Sequence, residues 1–253
     1  MIEDLLPATI FSFLLVFARV GSVVMLIPGI GESYVPARVR LGFAVMLSLL
    51  VVPLVSAKLP PAPAAPVSLV VLLLGEIVVG LFLGAIARIL LVALGSAGMI
   101  IANMTSLANA MVNNLTSQQQ GSIAGNFLSL TGLLMVFTLD LHHLSIRAAV
   151  DSYMIFPVGG HLPVGDFSET ISRMAGESFL LAMKMASPVI ATAGIFYLGL
   201  GLLARLMPQV QIFFIAIPLQ ISLGLLVLGL SLPIVMRVFL SSYESHLLFF
   251  VAH

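Results

Sequence analysis

The stretch Asn103–Ser122, NMTSLANAMVNNLTSQQQGS, lies between two of the most apolar regions of the chain. It contains four Asn, three Gln, three Ser and two Thr, and it contains no charged residue. An unpaired polar group in hydrocarbon costs several kcal/mol, so a segment this rich in amides is not expected to face lipid. A solvated loop usually carries charge. The composition therefore favours a segment that faces protein or a water-filled cavity at membrane depth.

The apolar residues of this stretch recur at a helical spacing, with Met104, Leu107, Met111 and Leu115 on one face. Methionine gives such a face a soft, adaptable surface. Two interpretations follow: an element that lines or plugs a pore, or a short amphipathic connector at the membrane interface. The residues that we assign to the pore or plug are Asn103, Met104, Leu107, Met111, Asn113, Asn114, Gln118, Gln119, Gln120 and Gly121.

The composition of the whole chain is that of an all-α integral membrane protein. Of its 253 residues, 60% are hydrophobic and 8% are charged, with a mean hydropathy of +1.21. A soluble domain carries about 25% charged residues. The net charge is zero and no basic block is present, which argues against nucleic-acid binding. The absence of Cys excludes disulfides and thiolate chemistry.

Apolar runs separated by Pro-rich and Gly-rich connectors organise the chain as one membrane domain over residues 1–253. Run 67–102 is too long for one simple span, so we expect either two helices or one long helix that leaves the bilayer. Pro208 and Gln209 are expected to form the turn of the last hairpin. Such interruptions favour broken helical hairpins packed against protein. The predicted apolar helices are 5–27, 41–55, 67–102, 123–141, 179–206 and 212–240.

Four charged residues, Arg19, Glu76, Arg88 and Arg205, lie within or at the ends of these apolar runs. Because a lone intramembrane charge is costly, we expect each at a subunit interface or a pore vestibule rather than against lipid. Glu76 and Arg88 lie about three turns apart on a continuous helix, too far to pair directly. A proton-relay role for Glu76 is a second interpretation.

No catalytic, nucleotide-binding or zinc-protease motif stands in the context that its chemistry requires. His142 and His143 are adjacent, so on a helix we expect their side chains to diverge. His161 could join them around a metal, but a position near a helix end is the simpler interpretation. We therefore predict a protein that is not an enzyme, with no metal and no cofactor.

Four stretches, in order, together carry a family resemblance. They are FARVGSVVMLIPGIGESYVPARVRLG from Phe17, GEIVVGLFLG from Gly75, FTLDLHHLSIRAAVDSYMIFPVGG from Phe137, and PVIATAGIFYLGLGLLARLMPQVQIFFIAIPLQISLGL from Pro188. The resemblance that they carry extends over nearly the whole chain. The chain resembles the FliR family, the membrane proteins of the flagellar type III export gate, and their injectisome relatives.

The resemblance implies a non-enzymatic subunit that packs with FliP and FliQ into a closed helical assembly, with FlhB attached. Unfolded flagellar proteins pass through the centre of that assembly, in the bacterial inner membrane at the flagellar basal body, where membrane lipid is also a neighbour. Stretch 103–122 falls where the family places a loop that plugs the closed channel, which favours the plug over the connector.

The sequence is also compatible with three alternative interpretations: a secondary transporter, a membrane scaffold without a pore, and an injectisome-type gate subunit. A transporter would share the broken helices and the intramembrane charges. A transporter should be stable when purified alone, whereas a gate subunit should need its partners to cover its broken helices.

Overall fold

The structure, a computed structural model, describes residues 2–107, 122–207 and 212–251, and within these ranges every regular element is helical. Five helices are long and apolar enough to cross a membrane, and a bent helix pair could make a sixth span. The predicted all-α integral membrane fold is confirmed. The helices are α1 (Ile2–Leu26), α2 (Ala37–Val55), α3 (Pro66–Met104), α4 (Ile123–Thr138), α5 (Leu141–Ile155), α6 (Val164–Leu206) and α7 (Ile212–Leu248), with a short 3-10 turn at Ser56–Lys58.

Helix α3 is one continuous helix of 39 residues, which decides between the two alternatives for run 67–102. The predicted run 123–141 is instead broken at Leu139–Asp140, where α4 and α5 meet at a bend of 72°. Asp140 has a left-handed backbone with φ 57°. A non-glycine residue in that region ends a helix, because the next turn cannot continue with the same hydrogen-bond geometry.

Helix α6 begins at Val164 rather than at residue 179. Its first turns are more hydrophilic than the apolar run predicted from residue 179. Its charges at Glu169, Arg173 and Glu177 are spaced four residues apart with alternating sign, and this spacing supports a solvated helix. Helix α7 likewise continues past residue 240 to Leu248.

By its internal packing the chain divides into two compact units. The first comprises Met1–Ile89, Val136–Ala175 and Tyr243–His253, and the second comprises Leu90–Met135 and Gly176–Ser242. The single membrane domain expected over residues 1–253 stays a prediction.

The core of the first unit is built from valines of α1 that pack against α2 and α5, with Val16, Val20 and Val24 against Ala44 and Tyr153. Helix α3 approaches α1 closely through its GxxxG pair. A Cβ added at Gly84 would lie 2.7 Å from Leu26 Cβ, and one at Gly80 would collide with the Arg19 carbonyl. Small residues therefore allow the two backbones to touch.

Four phenylalanines complete the packing of the first unit. The rings of Phe82 and Phe167 stack with centroids 4.2 Å apart, and Phe156 and Phe250 meet Phe82 edge to face at 6.2 and 5.9 Å. Because Phe250 follows α7, the cluster ties the end of the described chain to α3, to α6 and to the residue after α5. Offset and edge-to-face ring pairs add about 0.5–1.5 kcal/mol each beyond their buried area.

Helix crossings in the second unit also depend on glycine. A Cβ added at Gly98 of α3 would collide with the backbone of Gly125 in α4. Proline is accommodated inside α6 at Pro188, which cannot donate to the Lys184 carbonyl. The Ser187 hydroxyl donates to that carbonyl instead, at 2.8 Å.

Candidate functional site

The first unit contains a buried ion pair between α1 and α3. Arg19 Nε donates to Glu76 Oε2 at 2.7 Å, and Arg19 Nη2 donates to Glu76 Oε1 at 2.9 Å. The two side chains are 1% and 4% exposed. This is the two-pronged geometry that matches a planar guanidinium to a carboxylate. We expected these residues at an interface or a vestibule, and the structure places them inside the chain.

Helix α5 satisfies the rest of the guanidinium. Arg19 Nη1 donates to Ser152 Oγ at 3.1 Å, and Nη2 also donates to the Phe156 carbonyl at 2.8 Å. The Tyr153 ring lies below the guanidinium, with Arg19 Cζ 3.9 Å from its centroid. Burying a charge is costly unless it is both paired and hydrogen-bonded. Here one cation is held by α1, α3 and α5 together, and we call this set the charged joint.

Arg88 and Arg205, the other two charged residues that we expected at an interface or a vestibule, lie nearer the surface. Arg88 Nη2 is 3.9 Å from Glu32 Oε2, with side chains 40% and 23% exposed. Arg205 is exposed in the last turn of α6, where a cation is favoured by the negative end of the helix dipole. An interface or vestibule role for both stays a prediction.

The second unit contains a neutral counterpart centred on Gln220 of α7. Its Nε2 donates to the Met104 carbonyl at 2.6 Å and to the Tyr197 hydroxyl at 2.7 Å. Its Oε1 accepts from the Ser106 hydroxyl at 3.2 Å. Gln220 is 5% exposed. We call this set the amide joint, and it fixes the residues at which the polar stretch leaves α3.

The other end of the polar stretch is also held in the second unit. The Ser122 hydroxyl donates to the Gly98 carbonyl at 3.2 Å and accepts from the Gly125 N–H at 3.2 Å. The second bond caps the first turn of α4. Both ends of the stretch are therefore attached to helix α3, through Met104 and through Gly98.

Only the edges of the predicted plug fall within the described residues. Asn103 is exposed, while Met104 and Leu107 are half-buried. The predicted residues Met111, Asn113, Asn114, Gln118, Gln119, Gln120 and Gly121, and the turn residues Pro208 and Gln209, lie outside the described residues. Next to the stretch is an apolar cavity of about 280 Å³, lined by Leu107, Ile123, Ala124, Phe127, Leu225, Leu228, Gly229 and Leu232.

Sequence reasoning missed Gln220 and Ser152. A signal for Gln220 was present, because it is the one amide in the apolar run 212–240. A polar residue there needs an internal partner in a membrane helix. Ser152 carried no such signal, since it sits in a hydrophilic segment next to Asp151.

His142 and His143 lie in the first turn of α5, near a helix end as the simpler interpretation expected. Their rings do not diverge, and that expectation is wrong: the centroids are 4.1 Å apart. Together with Asp140 they offer three ligand atoms that lie within 4.8 Å of one another. This is the one such group found among the residues that the structure describes.

Comparison with known proteins matches residues 10–246 to the family described as bacterial export proteins, family 1. The chain is similar to the flagellar biosynthetic protein FliR of Caulobacter vibrioides, with 40% identity over 91% of this chain and 92% of the relative. FliR of Bacillus subtilis is 30% identical over 92% and 89% of the two chains. The Yop proteins translocation protein T of Yersinia pestis is 26% identical over 90% and 88%.

Proposed function

This chain belongs to family 1 of the bacterial export proteins, and we propose that its polar stretch 103–122 is the element that closes the pore of a flagellar type III export gate. The chain is a FliR-type membrane subunit of a type III protein-export gate. The pore and the plug are the parts that we add to this assignment.

The flagellar assignment is supported by the two FliR relatives, at 40% and 30% identity over most of both chains. The injectisome relative is more distant, at 26% identity. We propose that the protein acts in the inner membrane at the basal body, with unfolded flagellar subunits as cargo. We infer that it acts without enzymatic chemistry, because its sequence carries no motif that would supply it.

We propose FliP, FliQ and FlhB as the partners. Support comes from large apolar side chains on the second half of α6, where Ile195, Leu198 and Leu202 are each at least 67% exposed. Lipid can cover such a face, and so can neighbouring helices. Exposed cations favour protein or water over lipid, so Arg88 and Arg205 are proposed to face a partner or a vestibule.

The observation that carries the plug proposal is that both ends of the stretch are held by side-chain hydrogen bonds within the second unit. Met104 and Ser106 are bound by Gln220 on one side, and Ser122 is bound to Gly98 on the other. A reversible seal needs fixed ends and a neutral, adaptable middle. The sequence between these ends contains amides, Met111 and Leu115 but no charged residue, so it can seal without a charge-desolvation penalty.

The test is deletion of residues 110–119, which leaves Ser106, Gln220 and Ser122 in place. We expect the gate to assemble with its partners but to conduct ions and admit small molecules in cells that do not export. Membrane conductance and the uptake of a small polar dye measure the leak, and co-purification with FliP and FliQ measures assembly.

The matched control replaces the same ten positions with a Gly/Ser sequence of equal length. If the amide and methionine side chains form the seal, this variant should leak as the deletion does; if length alone matters, it should stay closed. A deleted gate that assembles and stays as tight as the parent would show that the stretch is a connector.

A further inference from the structure

The group formed by Asp140, His142 and His143 is not used by the export function proposed above. All three lie in the first unit, at the break between α4 and α5. Their ligand atoms, one per residue, lie within 4.8 Å of one another. His143 Nδ1 is 3.6 Å from Asp140 Oδ1.

The backbone explains why three residues so close in sequence converge. Asp140 has the left-handed conformation, φ 57° and ψ 16°, which turns the chain sharply before α5 begins. An Asp that precedes a helix usually accepts a bond from the first turn, but Asp140 makes no such capping bond. Its carboxylate is thus available to a ligand on the side of the two imidazoles.

The imidazoles are positioned by ring contacts. Phe137 stacks on the His142 ring at 4.8 Å, with an interplanar angle of 22°, and the His143 ring lies on the neighbouring side. His142 Nδ1 is buried and has no hydrogen-bond partner within the described part of the chain. A buried polar nitrogen without a partner costs free energy, which binding of a cation or a water would recover.

We propose that Asp140, His142 and His143 bind a borderline divalent transition-metal ion, with Zn²⁺ as the leading candidate. Two imidazole nitrogens and one carboxylate oxygen suit Zn²⁺ and its neighbours, whereas Mg²⁺ and Ca²⁺ prefer oxygen alone. In a tetrahedral zinc site neighbouring ligand atoms are about 3.4 Å apart. The ligand atoms are thus within about 1.4 Å of that spacing, and the Asp140 and His143 side chains, which are 76% and 69% exposed, have solvent space in which to adjust.

The local charge is compatible with a bound cation. Asp140 supplies one negative charge. Arg147 is the one Lys or Arg in α5, and its Nε lies 3.5 Å from Asp151 Oδ2, which offsets its positive charge. Three protein ligands leave one coordination position open. A bound ion would cross-link the residue at the helix break to the first turn of α5 and so fix that break.

The test is a titration of the assembled gate, prepared without a polyhistidine tag, with Co²⁺ as a spectroscopic probe and then with Zn²⁺ as competitor. We expect one Co²⁺ per copy of this chain, with a visible absorption band of low-coordinate cobalt that Zn²⁺ abolishes. The shape-conserving variants Asp140→Asn and His143→Gln should each weaken binding by about tenfold or more. Each variant is compared with the parent protein in the same assembly, so that metal bound by the partner subunits contributes equally to both measurements.

His161→Ala is the matched control, because His161 is an exposed histidine outside the group and the variant should bind as the parent does. The proposal is overturned if the His142→Ala/His143→Gln double variant keeps the parent's stoichiometry and affinity. It is also overturned if the parent assembly takes up no Zn²⁺ at concentrations up to about 1 mM.

Discussion

The charged joint of the first unit and the amide joint of the second unit solve the same problem with different chemistry. Each ties three helices through one buried polar side chain, Arg19 in one and Gln220 in the other. Arg19 only donates and carries a charge, so it needs Glu76 as well as neutral acceptors. Gln220 both donates and accepts, so neutral partners satisfy it. The comparison predicts that the charged joint is the costlier one to break.

The largest effect is expected from Glu76→Ala. The substitution leaves the Arg19 guanidinium buried without its counter-charge, which costs about 3–5 kcal/mol. Two measurements test this cost: the fall in the thermal stability of the purified protein, and the fall in the amount of folded protein in the membrane.

The double variant Arg19→Met/Glu76→Leu sharpens this first prediction. Replacing both partners with apolar residues removes the unpaired charge, and most of the stability should return. If Glu76→Ala alone costs less than about 1 kcal/mol, then water reaches Arg19 and the joint is not the buried pair described.

An intermediate effect is expected from Gln220→Leu. The Met104 carbonyl and the Tyr197 hydroxyl lose their donor and Ser106 loses its acceptor, at a cost of about 1–3 kcal/mol. Tyr197→Phe removes a single bond and should cost about 0.5–1.5 kcal/mol. Thermal unfolding at low and high salt measures both, and neither loss should depend on salt, because no charge is involved. A loss as large as that of Glu76→Ala would contradict the comparison.

The smallest effect is expected from Glu32→Gln, which breaks the ion pair with Arg88. This pair is charged, as the charged joint is, but unlike both joints it is partly exposed to solvent. Its atoms are 3.9 Å apart and Arg88 is 40% exposed, so solvent screens the attraction. We expect a cost of about 0–1 kcal/mol that shrinks as salt rises. A double-mutant cycle with Arg88→Gln isolates the pair term; a coupling above about 2 kcal/mol would show that a partner buries the pair.

Hydrophobic runs predicted most of the fold, but they did not predict what the glycines do. The sequence left open whether run 67–102 forms one helix or two, and α3 passes through Gly80, Gly84 and Gly98 without a break. Each sits where a neighbouring helix approaches too closely for a side chain. A sequence shows that a glycine is present, and only the packing shows whether it breaks a helix or admits a neighbour.

The sequence predicted that Arg19 needs a partner in the charged joint, but it did not predict which residue that partner is. The cost of burying Arg19 required a partner, and Glu76 was one of few candidates in the apolar runs. Which charge it meets depends on how α1 crosses α3, and that crossing is set by Gly80 and Gly84 rather than by any charge. The break at Asp140 was missed for a different reason: a left-handed aspartate has no composition signal within an apolar run.

The span between Arg19 and Glu76 also sets an order of events during synthesis. The partners are 57 residues apart, and Ser152 is 133 residues from Arg19. At about 5–20 residues per second, the carboxylate is made about 3–11 s after the guanidinium, and the serine about 7–27 s after it. During that interval α1 carries a cation that lacks the Glu76 counter-charge. The cost of a central Arg in a membrane helix, about 2.5–3.5 kcal/mol on insertion scales, therefore falls on the other residues of α1 until α3 is made.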